Sequence, residues 1–283
     1  MDDVTPIPTA AGNQVAILGT SNWFCNSDGS TSSTTASFVS ETNAWLAQGG
    51  IVVVTQDACA SLAQGAATYT TGTAANNNWN AFLDAQVAQF KKINGTVIWR
   101  PFAEFNGTGH FGSQFTPAQF QQFWIYTYNY MHAQGVNNVL YAFDLNDWDR
   151  QNNTAACGNA FCTGANWYPG NAYVDLTAMD SYPPGENGTT YDTVMYNYFV
   201  STGKPFFFFE AGVSGNPGVN SGNNDTGVLN VVKSEFPKAF AVVIWCQQWA
   251  LDSQNGESAV MTDPAIVTLS DVPAAFANGS GTP

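Results

Sequence analysis

Residues 96–107 read TVIWRPFAEFNG, and the first half of this stretch decides the fold. Thr96 to Trp99 is β-branched or aromatic throughout, with no polar residue alternating. The strand it predicts must therefore be buried on both faces, as in a parallel sheet covered by helices. Six further runs share this character: VAILGT (15–20), IVVVTQ (51–56), VLYAFDL (139–145), VDLTAMD (174–180), PFFFFE (205–210) and AVVIWC (241–246). Helical segments lie between several of them. Thr116-Pro117 opens one, AQFQQFWIYTYNYMHAQ continues it, and Gly135 stops it. NAWLAQGG ends another, NWNAFLDAQVAQFKKING forms a third, and TGVLNVVKSEF precedes the last strand. This β-then-α rhythm without a linker predicts one α/β domain. Seven strands in 283 residues predict a (β/α)8 TIM barrel with one strand unseen. An open doubly wound sheet is the alternative, disfavoured because GTSNWF after the first strand lacks a GxGxxG phosphate loop. The single domain is expected over residues 1–283, with about 14 N-terminal and about 10 C-terminal residues as loose ends.

Composition narrows the partners. Only 10% of residues are charged, against about 25% in ordinary soluble domains. The net charge of -14 repels phosphate backbones, so no nucleic-acid partner is expected. Neutral hydrogen-bonding residues replace the missing charge. Together with 9 Trp, 11 Tyr and 20 Phe they suit sugars, whose hydroxyls seek amides and carboxylates and whose faces stack on rings. An acid-tolerant secreted surface is the blander explanation, and the two are compatible. No stretch approaches the roughly 20 apolar residues of a membrane span, so no membrane partner is expected. MDDVTPIPTA has neither the basic start nor the apolar core of a signal peptide, as a mature secreted chain would not. Cys157 and Cys162 in CGNAFC are spaced to bridge a small loop, and Cys25 and Cys59 each follow a strand closely enough to pair. Cys246 is left as a core thiol, and secretion is the expected localisation. Sequons occur at Asn94, Asn106, Asn152, Asn187, Asn224 and Asn278, but the motif is weak and implies no glycan. A monomer is expected.

In a barrel the active site lies at the carboxyl ends of the strands. The polar residues there are Gln56, Asp57, Arg100, Glu104, Asp144, Asn146, Asp180, Tyr182, Glu210, Gln247 and Trp249. With His110 and His132 the only histidines, a His-rich zinc site is excluded, and no metal or other cofactor is expected. No GxSxG elbow offers a nucleophilic serine. Carboxylate chemistry remains. KPFFFFEAG (204–212) is read as driving four phenylalanines into the barrel before presenting Glu210 beside small residues. Either glutamate alone could cap a strand end. Glu210 comes three strands after Glu104, which places the two on opposing walls of one pocket. Retaining glycoside hydrolysis needs such a pair about 5–5.5 Å apart, one as nucleophile and one as acid then base. Phe102 or Phe105 could keep the acid protonated by desolvation, and Arg100 or the Tyr182 hydroxyl could hold the nucleophile ionised.

VIWRPFAEFNG, NWYPGNAYVDLTAMDSY, GKPFFFFEAG and AVVIW, in this order and spacing, resemble family 26 glycoside hydrolases, many of them endo-β-1,4-mannanases. The resemblance covers roughly three quarters of the chain, from Trp45 to Trp249, and implies a retaining (β/α)8 barrel. It gives Glu104 the acid/base role and Glu210 the nucleophile role. It places Arg100, Asn106, Tyr182 and Trp245 in the motifs lining the reactive subsite, with His110 and Phe111 where the family has a Trp-rich stretch. Asp180 and Trp249 complete the expected sugar contacts. The resemblance puts the acid/base after the fourth strand, so the unseen strand is expected N-terminal to Ile51. Ala103 stands where the family usually has His, and TQDAC stands where a strand often ends in Trp-His.

The reading is thus a secreted endo-acting retaining hydrolase of β-linked plant or microbial polysaccharide, mannan first. A β-glucanase or β-xylanase on the same scaffold, and a carbohydrate-binding barrel with weakened catalysis, are the alternatives. Trp99 and Trp124 are expected in the core, and Trp148 and Trp167 on a rim beside the CGNAFC loop. Asp144 and Asp180 could equally be pocket-floor partners of Arg100.

Overall fold

The computed structural model describes residues 14–25, 31–33, 35–56, 60–106, 111–146, 164–182, 193–212, 224–244, 250–251 and 255–272. Seven strands run parallel: β1 (Ile17–Cys25), β3 (Ile51–Gln56), β4 (Val97–Arg100), β5 (Val139–Asn146), β6 (Leu176–Ser181), β7 (Phe206–Ala211) and β8 (Ala239–Ile244), each paired with the next in this order. They curl into a nearly closed barrel wrapped by helices, a TIM-barrel architecture. A further strand does lie N-terminal to Ile51, but β2 (Thr31–Ser33) is antiparallel to the end of β1, with Trp23 opposite Ser33 and Cys25 opposite Thr31. Residues 26–30 are too few for the dozen-residue crossover that a parallel partner requires. The chain therefore returns as a hairpin, and Glu104 follows the third parallel strand among the described residues.

Helices α1 (Thr35–Ala47), α2 (Ala74–Phe90), α3 (Pro117–Ala133), α5 (Thr193–Ser201) and α6 (Asp225–Glu235) follow successive strands, with the short α4 (Gly164–Trp167) and α7 (Glu257–Met261) between or after them. The start of α3 is chemically specified. Thr116 and Gln119 form a reciprocal capping box, Pro117 occupies the first turn, and Gly135 leaves the helix at φ 78°. Thr73 caps α2 with a single bond, its side chain accepting from the Asn76 backbone N–H.

The barrel separates two cores. Val53, Ile98, Ala142, Leu176, Ala178, Phe207 and Phe209 fill its interior. Phe206 and Phe208 point outward into the larger core beneath the helices. Two phenylalanines of the PFFFFE run thus enter the barrel rather than four, because a pleated strand alternates its side chains. The outer core is an aromatic lattice: Trp79 packs on Phe82, Phe102, Phe111 and Phe123, while Phe105 stacks on Phe120. Trp99 and Trp124 belong to it as expected. Trp167 belongs to it too. It is 1% exposed, edge-on to Phe105 and Phe120, and so is no rim residue. Apolar area this large is worth more inside than at a solvated edge.

Cys59, Cys157, Cys162, Cys246 and Trp148 lie outside the described residues, and of Cys25 only the backbone is described, so both expected disulfides fall beyond the structure. Among the described residues no helix is long and apolar enough to cross a membrane.

The lattice gives a direct contrast. Phe120 is 0% exposed and Phe240 on β8 is 71% exposed. Phe120→Ala is expected to cost about 3–5 kcal/mol in urea unfolding and Phe240→Ala under about 1 kcal/mol. Equal costs would contradict this assignment of the core.

Candidate active site

The sheet register assembles the site before any side chain is considered. At the carboxyl ends of three adjacent strands, Asn146 pairs with Asp180 and Asp180 pairs with Glu210. Strict alternation would not bring Glu210 into this row. Phe207 and Phe209 already face the barrel interior, so residue 210 should face out. The strand corrects this with a bulge: Met179 pairs with Phe208 and Asp180 with Glu210, leaving Phe209 without an opposite number. One extra residue re-aims Glu210 inward and returns Ala211 to the outer core.

Arg100, the last residue of β4, lies at the centre with 0% exposure. Its Nε donates to Asp144 Oδ2 at 2.6 Å, and its two terminal nitrogens donate to Asp180 and to Glu210. One guanidinium thereby ties β4 to β5, β6 and β7. Burial works against its charge, but Asp144, Asp180 and Glu210 outweigh burial and hold it firmly protonated. Glu210 is itself buried; beyond Arg100 on Oε1, its Oε2 accepts the Tyr182 hydroxyl at 2.9 Å. Two donors on two oxygens suit a carboxylate anion. Burial, then the neighbouring Glu210 and Asp180, push the Tyr182 phenol up, so it stays a donor.

Glu104 reaches the same space from the loop after β4. Phe102 and Phe105 on either side of it are sunk in the aromatic lattice. The Ala103 amide bonds the Gln56 carbonyl at 3.0 Å, and Gly112 lies so close to Phe105 that a Cβ there would collide with its carbonyl. Between these anchors Glu104 takes φ 47°, the only non-glycine residue with positive φ among the described residues. Left-handed backbone at such a residue costs on the order of 1–2 kcal/mol and persists only where the surroundings impose it. Its carboxylate accepts from Asn146 Nδ2 at 2.5 Å.

One oxygen each from Glu104, Asp180 and Glu210 lies within 4.8 Å of the others. The two glutamates differ in environment. Burial first, then the Glu210 charge, push the Glu104 carboxyl up to about 8, against the pull of Arg100 and Asn146. Asp180 is also raised, by burial and by its carboxylate neighbours, with Arg100 opposing. The site therefore sets a carboxyl of raised proton affinity opposite one that accepts from Arg100 and Tyr182, and two unlike carboxyls are what acid–base chemistry can use. The three clustered oxygens would also make a donor set for a hard cation. The positive charge between Asp180 and Glu210 is already supplied by Arg100.

Of the residues expected from the sequence, Arg100, Glu104, Asp180, Tyr182 and Glu210 come together here. Asp180 and Asp144 are floor partners of Arg100, each about 1% exposed. Asn106 is 5% exposed, and its amide is committed to the Asn146 backbone, donating to the carbonyl at 2.7 Å and accepting from the N–H at 2.8 Å. It is thus a brace rather than a sugar ligand, and its sequon is sterically closed. Phe111 is corrected as well: at 2% exposure it packs on Trp79, Phe102, Phe115 and Phe123, out of reach of a sugar. His110, Trp245 and Trp249 lie outside the described residues. Asn146 is among the polar strand-end residues read from the sequence but carries no role in that reading. Its signal was the polar ending of an otherwise apolar strand, VLYAFDLN. Gln56 is buried and accepts from the Trp99 indole at 3.0 Å.

A parallel-strand barrel with two unlike glutamates facing each other at the strands' carboxyl ends defines a TIM-barrel protein with a carboxylate-pair site. Its family is specific: the chain belongs to glycosyl hydrolase family 26, whose model matches residues 1–271. It is 26% identical over 213 residues to mannan endo-1,4-beta-mannosidase A and B of Caldalkalibacillus mannanilyticus, covering 71% of this chain and 38% of that protein. It is 26% identical over 182 residues to mannan endo-1,4-beta-mannosidase of Bacillus subtilis, covering 60% of this chain and 44% of that protein. The chain spans less than half the length of these two relatives. The Bacillus subtilis mannanase BCman shares the fold at a TM-score of 0.71 and 19% identity, over 89% of this chain and 77% of that one.

The raised Glu104 carboxyl has a consequence for stability. The folded chain holds a proton there that the unfolded chain has lost between the ordinary value of 4.5 and about 8, so this group's contribution to stability falls as pH rises through that window. Glu104→Gln removes the penalty. Its urea midpoint should gain on wild type from roughly pH 5 to 8 and match it below roughly pH 4. A gap independent of pH would contradict the raised carboxyl.

Proposed function

We propose that this chain is a secreted, retaining glycoside hydrolase that cuts within a β-linked polysaccharide, a β-1,4-mannan before glucan or xylan. The observation that carries the mechanism is the approach of Glu104 and Glu210 oxygens to within 4.8 Å, with Glu104 raised to about 8. Retaining enzymes hold their carboxyl pair about 5–5.5 Å apart, whereas inverting ones need about 6.5–9.5 Å to admit a water. The short separation favours direct attack. Family membership supports hydrolysis, and the names of the two mannosidase relatives support mannan. The low charge and acidic surface support secretion and action as a monomer on a neutral polymer.

In this reading Glu210 attacks the anomeric carbon and forms a glycosyl ester. Glu104 gives its proton to the departing glycosidic oxygen. Glu104, now ionised, takes a proton from water, which attacks the ester and releases the sugar with its configuration retained. Arg100 and Tyr182 stabilise Glu210 before attack and as it leaves again. Ala103 offers the pocket only a methyl group, so fewer hydrogen bonds from this loop orient the sugar.

The test is product release from mannan, glucomannan, mixed-linkage glucan and xylan by wild type, Glu210→Ala and Glu104→Gln. Wild type alone should release oligosaccharides, most from mannan. Glu104→Gln should lose about 10²–10⁴-fold on polymer and far less on aryl glycosides whose leaving groups need no proton. Equal, near-zero release by wild type and Glu210→Ala, with retained binding, would assign the chain to carbohydrate binding instead.

A further inference from the structure

We infer that Asn146 and Asn106 form a two-residue clamp that positions the acid/base glutamate and selects which of its oxygens carries the proton. The inference rests on the reading of Glu104 given above and extends it to residues that act through that carboxyl.

Three observations converge. Asn106 and Asn146 are joined by two hydrogen bonds, with the Asn106 amide facing both the N–H and the carbonyl of Asn146. This is the pattern of a strand pair, made by a side chain, and it extends β5 sideways to the Glu104 loop. Asn106 is nine-tenths buried, so breaking the pair would leave polar groups without water. The Asn146 side chain, fixed at its root by this pairing, then donates Nδ2 to Glu104 Oε1. Between the two contacts sits the strained φ of 47° at Glu104. A left-handed glutamate has easier conformations available; the Ala103–Gln56 backbone bond holds the loop before it, and the Asn106 pairing holds the loop after it.

The chemical effect is on the proton. An oxygen that accepts an N–H serves best as the carbonyl oxygen of a carboxylic acid, so the acidic proton is favoured on Oε2. The same bond stabilises the ionised form and pulls the carboxyl down, against burial and against Glu210. The other groups facing Glu104 are fixed by their own partners. Arg100 comes from β4, Asp144 from β5, Asp180 and Tyr182 from the end of β6, and Glu210 from β7. Asn146 carries no charge and donates to Glu104 itself, whereas the neutral Tyr182 hydroxyl donates to Glu210. Replacing it changes the proton affinity of Glu104 without removing a charge.

Asn146→Ala and Asn146→Asp keep the backbone pairing with Asn106, so both should fold. Asn106→Ala breaks the pairing while leaving the Asn146 side chain in place. All three are compared with wild type and Glu104→Gln on mannan and on an aryl mannoside with a good leaving group, across pH. The high-pH limb of kcat/KM on mannan should move up by about one pH unit in Asn146→Ala and further in Asn146→Asp. In Asn106→Ala the limb should move the same way. Polymer kcat should fall roughly tenfold in each, with KM and aryl-mannoside turnover little changed. An unmoved limb, or equal loss on both substrates, would overturn the clamp. Unchanged mannan turnover by Glu104→Gln would instead overturn the acid/base reading on which it rests.

Discussion

The Arg100 guanidinium is buried completely at the end of β4, where its charge can be satisfied only by the carboxylates that three neighbouring strands bring to it. Everything in the site follows from that constraint. Asp144, Asp180 and Glu210 must arrive at one level, which fixes the register of β5, β6 and β7 relative to β4. Burying an ion network gives little net stability compared with apolar packing, but removing one partner costs about 3–5 kcal/mol. Its value lies in geometry. Arg100 meets three acids with a single positive charge, and Glu104 stands opposite as a fourth acid. The excess is resolved by proton uptake, and Glu104 and Asp180 are the groups pushed toward it. Charge imbalance around one cation thus makes the Glu104 carboxyl unlike its neighbours within 4.8 Å.

Much of the frame was legible because strands buried on both faces cannot alternate. Continuous apolar runs announced the parallel strands, and Thr116-Pro117 with Gly135 announced α3. Glu104 and Glu210 were legible as polar endings of such runs, and the resemblance gave them roles. What escaped was set by local geometry that composition does not encode. Nothing in PFFFFEA marks the unpaired Phe209, yet without that bulge Glu210 would face the helices. Nothing in PFAEFNG by itself marks the left-handed Glu104, because the partners that hold Ala103 and Asn106 are Gln56 and Asn146, dozens of residues away. Phe111 and Trp167 misled for a different reason. An aromatic residue suits a sugar platform and a core equally well, and only the neighbours Trp79, Phe105 and Phe120 decide between them.

The site also shows how a strained residue is kept in place by an unstrained frame. Phe102 and Phe105 anchor the Glu104 loop from the outer core, Gly112 permits the close approach, and Asn106 braces it against β5. None of these residues needs to reach into the site for the Glu104 carboxyl to be aimed there. Ala103 sits among them as the smallest side chain of the loop. The loop holds its shape there through a backbone bond to Gln56, so the Ala103 side chain has little part in how Glu104 is held.

The central claim is that Glu210 forms a covalent bond to the sugar, and trapping that intermediate addresses it most directly. A 2-deoxy-2-fluoro-β-mannosyl fluoride combines a good leaving group with a fluorine that destabilises both transition states, so the ester should accumulate faster than water removes it. Intact-mass measurement should then find one fluorosugar per chain, and peptide mapping should place it on Glu210, with no label on Glu210→Ala. An active enzyme that takes up no label, or that carries it on another residue, would contradict the account.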